Sequence, residues 1–280
     1  MVRPEPDVLQ PMCKAFLLLA TGLAAFGQTP IEQGFSHMYN LDFNEAHHVF
    51  AAAKQKSPAD PMPYVADAAA YLFAEFDRLH ILQSEFFAQD STFSRDKALS
   101  PDPQAKQAFL KELETGERLA HDLLAKNDRD THAMFASVMS LGLHADYDGM
   151  IEKRYFSAVG YMKVGRQAAE KLLALDSSWV DAYVAMGVEA YVLGTKPMPL
   201  RFVLRLTGSK TDLEDGVRKV RLAAEGGHYL KPLARLLLGV AALRDHQVET
   251  AKDILRDLSK QFPRNKLYTE ELARMDTLKK

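Results

Sequence analysis

The sequence predicts an all-α fold, an irregular solenoid of antiparallel helix pairs. Three observations carry that prediction. Beyond Gln28 the apolar residues recur at helical spacing, and no sustained strand-type alternation occurs. Glycine and proline cluster between the periodic stretches, where helix boundaries belong. A small residue followed by apolar residues four and seven positions on recurs at Ala46, Gly116, Gly165, Gly216 and Ala251. A chain 47% hydrophobic and 26% charged has the composition of a packed domain. Its 35 basic and 37 acidic side chains leave a net charge of −2, so no bulk basic charge points to nucleic acid or to an anionic membrane as a partner. The single cysteine, Cys13, excludes an intramolecular disulfide framework and a cysteine-only zinc site.

The first element is a targeting segment. Residues 15–27 are uncharged and mostly apolar, and Lys14 flanks them. Thirteen residues are too few for a span of about 20 but fit the core of a signal peptide. Ala25 and Gly27 place small residues where a signal peptidase reads, so residues 1–27 are expected to be removed before Gln28. Met12 makes a better start than Met1, because Glu5 and Asp7 dilute the basic flank. The expected location is outside the cytoplasm, periplasmic or secreted.

The helix pairs follow from residue 28 to about 265. Gly34, then Leu41-Asp-Phe-Asn-Glu-Ala46, Phe50, Ala53 and Pro58 make the first unit. Tyr183, Gly187 and Tyr191 begin another, and Gly239 with Ala251 and Phe262-Pro263 close the last. The five small residues of the second helices lie 70, 49, 51 and 35 residues apart. The middle units therefore carry insertions, near 75–104, 147–160 and 195–211. The charged amphipathic segment 266–280 suits a solvating cap.

These residues resemble a tetratricopeptide repeat, a helix-turn-helix unit of about 34 residues. The residues assigned to repeat packing are Gly34, Ala46, Phe50, Gly165, Tyr183, Gly187, Tyr191, Gly239 and Ala251. Pro30 and Gln33 depart from the repeat, where an aromatic and an aliphatic are usual. Asn40-Leu-Asp-Phe-Asn-Glu-Ala46 together with Gly187-Val-Glu-Ala-Tyr-Val-Leu-Gly194 also resembles a group of exported bacterial repeat proteins. The resemblance implies a right-handed superhelix with a concave face lined by the first helix of each unit. It implies a fold and leaves the activity open.

Motifs of chemistry are sparse. His47 and His48 are adjacent, so on a helix they diverge by about 100° and share no ion easily. His144, Asp146 and Asp148 offer ligands within one turn, or else form the polar end of a helix that starts at Thr131 and enters a loop at Gly149. Gly208-Ser-Lys-Thr211 has the tail of a phosphate loop without its first glycine, and reads better as the approach to a helix capped by Thr211 or Asp212. No cofactor, metal or catalytic residue is assigned. The expected function is a non-catalytic scaffold that binds protein or peptide segments in the concave groove. The alternative is a small-ligand carrier or hydrolase whose insertions close a pocket over that groove. Convergence of His144, Asp146 and Asp148 would favour the alternative.

The insertion 195–211 stands apart. Lys196, Arg201, Arg205 and Lys210 are its charges, with no acid among them, around an apolar Leu-Arg-Phe-Val-Leu-Arg-Leu run. Lys196, Arg201, Phe202, Arg205 and Lys210 are candidate docking residues for a partner or for peripheral contact with a membrane. The favoured packing turns Phe202 and Leu206 inward and leaves both arginines exposed.

Overall fold

A computed structural model describes residues 28–82, 99–196 and 198–277. The expected targeting segment, residues 1–27 with Met12 and Cys13, lies outside the described residues, as does most of the first insertion. Among the described residues the regular elements are all helical. They are α1 (Pro30–Tyr39), α2 (Phe43–Lys56), α3 (Met62–Arg78), α4 (Pro103–Lys126), α5 (Thr131–Asp146) and α6 (Tyr155–Leu175). Then come α7 (Tyr183–Gly194), α8 (Met198–Leu206), α9 (Leu213–Gly226), α10 (Lys231–Arg244), α11 (Val248–Gln261) and α12 (Lys266–Thr277).

Side chains set several of the boundaries. Thr29 and Glu32 form a reciprocal capping box at the start of α1. Asp102, Asp130 and Asp212 accept the free N–H groups that open α4, α5 and α9. Asp212, rather than Thr211, is thus the cap of α9. The helix α5 does not enter a loop at Gly149; it runs into one π-helical turn, Tyr147–Ile151. Much of the third unit's extra length is helix, since α6 alone has 21 residues.

Helices pack in consecutive pairs: α1 on α2, α3 on α4, α5 on α6, α7 on α9 and α10 on α11. Each pair leans on the next, through α2 on α3, α4 on α5, α6 on α7 and α9 on α10. The helix α12 covers α11 and buries Leu267, Tyr268 and Met275. Small residues sit at the crossings. Ala46 and Ala251 are fully buried, and Phe50 covers Gly34. Gly165 faces Leu141, and Gly239 faces Ile254. The closest crossing is α7 on α9, where a Cβ on Gly187 would lie 2.8 Å from the Gly216 carbonyl oxygen. Tyr183 packs half-buried between the two apolar clusters of the core. Tyr191 is half-buried under the Arg244 guanidinium, 5.8 Å from its ring centre.

The solenoid also closes on itself. Phe35 of α1 lies 5.7 Å from the Tyr229 ring, and Tyr39 lies 5.4 Å from Phe262. The Tyr39 hydroxyl donates to the Tyr229 carbonyl at 3.0 Å. The Asn265 amide donates to the Tyr39 carbonyl at 2.9 Å, and Arg264 pairs with Asp42. From α5, Phe135 stacks between Trp179 at 4.7 Å and Tyr229 at 5.9 Å. Asp181, 1% exposed, fixes the intruding loop by accepting the N–H groups of His228, Tyr229 and Leu230 at 2.7–3.1 Å. The rings of Phe35 and Tyr39 on α1 and of Phe135 on α5 are therefore covered by the chain's own later units. A cavity of about 30 Å³, lined by residues including Tyr39, Phe73, Leu236 and Tyr268, remains at this seam.

Candidate functional site

The chemistry-bearing residues of the sequence do not converge. His144 bonds Glu117 across the α4–α5 contact at 2.8 Å and stacks on Tyr161 with ring centres 4.6 Å apart. Asp148 is buried and pairs with Arg154. Asp146 stands apart from both partnerships, its carboxyl pushed up to about 7 by burial. His47 and His48 diverge as the helix geometry requires: His48 is exposed, while His47 bonds Asp67 at 2.5 Å and stacks on Tyr71. Lys54 joins the same cluster, donating to Asp67 at 2.5 Å and to Glu112 at 2.8 Å. Burial would lower the Lys54 ammonium, but the hydrogen bonds to the two carboxylates outweigh it and raise it above its usual value. Each of these groups ties one helix to the next. Among the described residues no three His, Cys, Asp or Glu side chains are placed to hold a metal ion together.

The insertion between α7 and α9 is different. Helix α8 touches the solenoid through α7 and through the loop that follows it. Met198, Phe202 and Leu206 recur every fourth residue and form one stripe. That stripe faces outward: the three side chains are 72%, 62% and 73% exposed. Arg205 is exposed beside it, while Arg201 and Leu204 are half-buried on the body side. The packing favoured from the sequence is thus reversed for Phe202 and Leu206 and for Arg201. Nine residues with leucine on both faces do not reveal which face points out.

The anchor of α8 is what fixes that orientation. Its C-terminus ends in a Schellman motif: Gly208 N–H donates to Arg205 and Ser209 N–H to Leu204, at 2.9 and 3.1 Å. Gly208 supplies the left-handed turn with φ +85°. The following loop dives inward, burying Ser209 and Thr211. There Arg166 of α6 pairs with Glu189 of α7 at 2.6 Å and donates to the Gly208 carbonyl at 3.2 Å. Glu189 is completely buried and also accepts the Lys210 N–H at 3.3 Å. Burial pushes the Glu189 carboxyl up, and the Arg166 charge pulls it back. Lys163 bonds the Thr207 carbonyl, and Arg205 Nε donates to the Thr211 hydroxyl at 2.6 Å.

Of the candidate docking residues, Phe202, Arg205 and Lys210 lie on the exposed side, Lys196 at the helix entrance is half-exposed, and Arg201 turns inward. Sequence reasoning missed the anchoring residues Lys163, Arg166 and Glu189. It also missed Phe156, 98% exposed on α6. Arg166 beside the small Gly165 carried a usable signal, a charge next to a crossing residue. Phe156 and Lys163 are seven residues apart and share one face of α6.

Comparison with known proteins places little beside this chain. No protein-family profile matches it, and no curated protein is similar to it. Among solved structures it is similar to TTC0263, a thermophilic TPR protein of Thermus thermophilus. The two share 12% identity with a TM-score of 0.44, over 88% of this chain and 96% of that one.

Proposed function

We propose that this protein is a non-catalytic interaction scaffold that docks through α8. The observation that carries the reading is an apolar stripe held outward by a buried ion pair. Met198, Phe202 and Leu206 project from the surface, while Arg166 and Glu189 lock the base of the insertion. A buried charge pair is a costly way to hold a loop unless that loop has to be held in one place. The polar clusters elsewhere support the non-catalytic half, because His47, His132 and His144 each face a single carboxylate at a separate helix joint. Tyr229 and Phe262 pack against Phe35 and Tyr39, so these α1 rings are not open to a bound segment. Export remains part of the proposal. Cleavage before Gln28 would leave both bonds of the Thr29–Glu32 capping box intact.

The test is site-specific crosslinking in the natural host. A photoreactive residue at Leu206 should give a discrete adduct, whereas one at the exposed Glu114 of α4 should give none. Equal yields at the two positions, or none at either, would remove α8 as the docking element. Amino-terminal sequencing of the same protein should start near Gln28; an intact segment 12–27 on a cytosolic species would end the export proposal.

A further inference from the structure

We infer that the surface α8 engages is an anionic lipid bilayer, with Met198, Phe202 and Leu206 inserted among the acyl chains and cations at headgroup level. This rests on the reading of α8 as the docking element and names its partner. Three features of the site favour lipid over a protein partner.

The first is the arrangement of charge around the apolar stripe. Arg205 flanks it, Lys196 stands before the helix and Lys210 after it, and no acid occurs between Glu189 and Asp212. Among the described residues none of these three cations pairs with a carboxylate, although the chain as a whole carries −2. Apolar side chains ringed by long cationic ones suit an interface where hydrocarbon lies just beneath phosphate. The positive patch on an otherwise slightly acidic molecule also sets its orientation toward a negative surface.

The second is size. A stable protein interface needs about 800 Å² and roughly 20–30 residues from each partner. A nine-residue helix with three protruding side chains offers far less. Three inserted side chains together with several surface cations are enough for reversible attachment to an anionic bilayer.

The third is shape. The three side chains of the stripe are 62–73% exposed, so its ligand must supply the complementarity, as a fluid lipid surface can. Phe156 on α6 is a further exposed apolar side chain. It is 98% exposed, two turns from Lys163 on the same face of α6, and Lys163 holds the end of α8. Tyr155 and Val164 on α6 are 44% and 49% exposed. No helix among the described residues is long and apolar enough to cross a membrane. The attachment proposed through α8 is peripheral.

The experiment is sedimentation with phospholipid vesicles, using protein purified from the natural host in the form the host produces. The native protein should bind vesicles containing phosphatidylglycerol, bind neutral phosphatidylcholine vesicles at least about tenfold more weakly, and release as salt rises. Phe202→Ser/Leu206→Ser and, separately, Lys196→Ser/Lys210→Ser should each weaken binding about tenfold or more. Phe202 and Leu206 project away from the Arg166–Glu189 anchor, Lys210 meets Glu189 only through its backbone N–H, which serine keeps, and unchanged melting temperatures will show that the fold is intact. Equal binding to both vesicle types, or binding untouched by both double variants, overturns the lipid inference. If vesicles are not bound but Leu206 crosslinks to a protein in the host, the inference falls and the docking reading stands. If neither happens, both fall.

Discussion

At Gly187 a methyl group has nowhere to go. Its Cβ would lie 2.6 Å from Val220 Cγ2, 2.8 Å from the Gly216 carbonyl oxygen and 2.9 Å from the Val220 nitrogen. Two of those three atoms are backbone, so the helices must separate. Gly187→Ala should therefore cost about 1–3 kcal/mol by overpacking, more than a core alanine usually costs. Urea unfolding will measure it, and a variant as stable as the parent would show that α7 and α9 can move apart freely. Gly142 is the matched control, because nothing lies within 4 Å of its Cβ. Gly142→Ala should be neutral or slightly stabilising, since alanine is the better helix former. Crossing residues of this kind were legible in the sequence, because the need for a small residue recurs once per unit in a fixed relation to the apolar positions. The αL residues Leu41 and His246 were not legible. Their φ values of 62° and 59° are imposed by the helix ends they close, and neither residue type announces that role.

At the scale of elements, the joints between helices are charged as well as apolar. His132 on α5 bonds Asp60, just before α3, at 2.8 Å. The Asp60 carboxylate, by its hydrogen bond, raises His132 above 6.5. Burial would raise Asp60, but the bonds from His132 and from the Met62 N–H outweigh it and hold Asp60 below 3.8. The raised histidine stabilises the fold fully below its unfolded value, and that contribution is lost as pH climbs through the folded one. The depressed aspartate contributes above its unfolded value, and loses that contribution as pH falls through the folded one. The joint should thus be strongest between about pH 4 and pH 6.5. His132→Gln should lower the melting temperature more at about pH 5.5 than at about pH 8.5; an equal loss at both would mean the pair is not charged. Helix α8 makes the opposite kind of element, attached by its ends and free along its outer face. Phe202→Ala should change stability by no more than about 0.5 kcal/mol. Phe135→Ala, from a fully buried ring between Trp179 and Tyr229, should cost about 3–5 kcal/mol. Equal losses in a thermal melt would place Phe202 in the core after all. The insertion itself was visible as a basic, proline-flanked interruption of the repeat. Its orientation was not visible, because the buried Arg166–Glu189 pair that decides it comes from two other helices.

At the scale of the whole molecule, the decisive contacts join residues that sequence pattern cannot connect. The bonds from Tyr39 to Tyr229 and from Asn265 to Tyr39 span 190 and 226 positions. No periodicity links them, so the stacking of pairs could be foreseen and the closure of the stack could not. Closure changes what unfolding should look like. An open repeat array holds each unit only through its neighbours, and its end units fray independently. Here the first pair is packed against the loops that open α10 and α12, so neither end is free. Asp181 is the keystone, because its removal takes the acceptor from the N–H groups of His228, Tyr229 and Leu230. Asp181→Ala should cost at least about 1–3 kcal/mol, the penalty for one orphaned group, since water can reach the N–H of the exposed His228. The more telling expectation concerns cooperativity. Trp179 is the single tryptophan and stacks on Phe135 at the centre of the seam, whereas circular dichroism reports all the helices. In the parent protein the two signals should fall together with urea. In a Tyr39→Phe/Asn265→Ala variant, which removes two long-range hydrogen bonds of the seam but leaves every helix pair, ellipticity should fall over a broader range and begin earlier than the fluorescence change. Separate transitions in the parent, or coincident ones in the variant, would mean that the contacts between the first and last units do not bind the solenoid into one cooperative body.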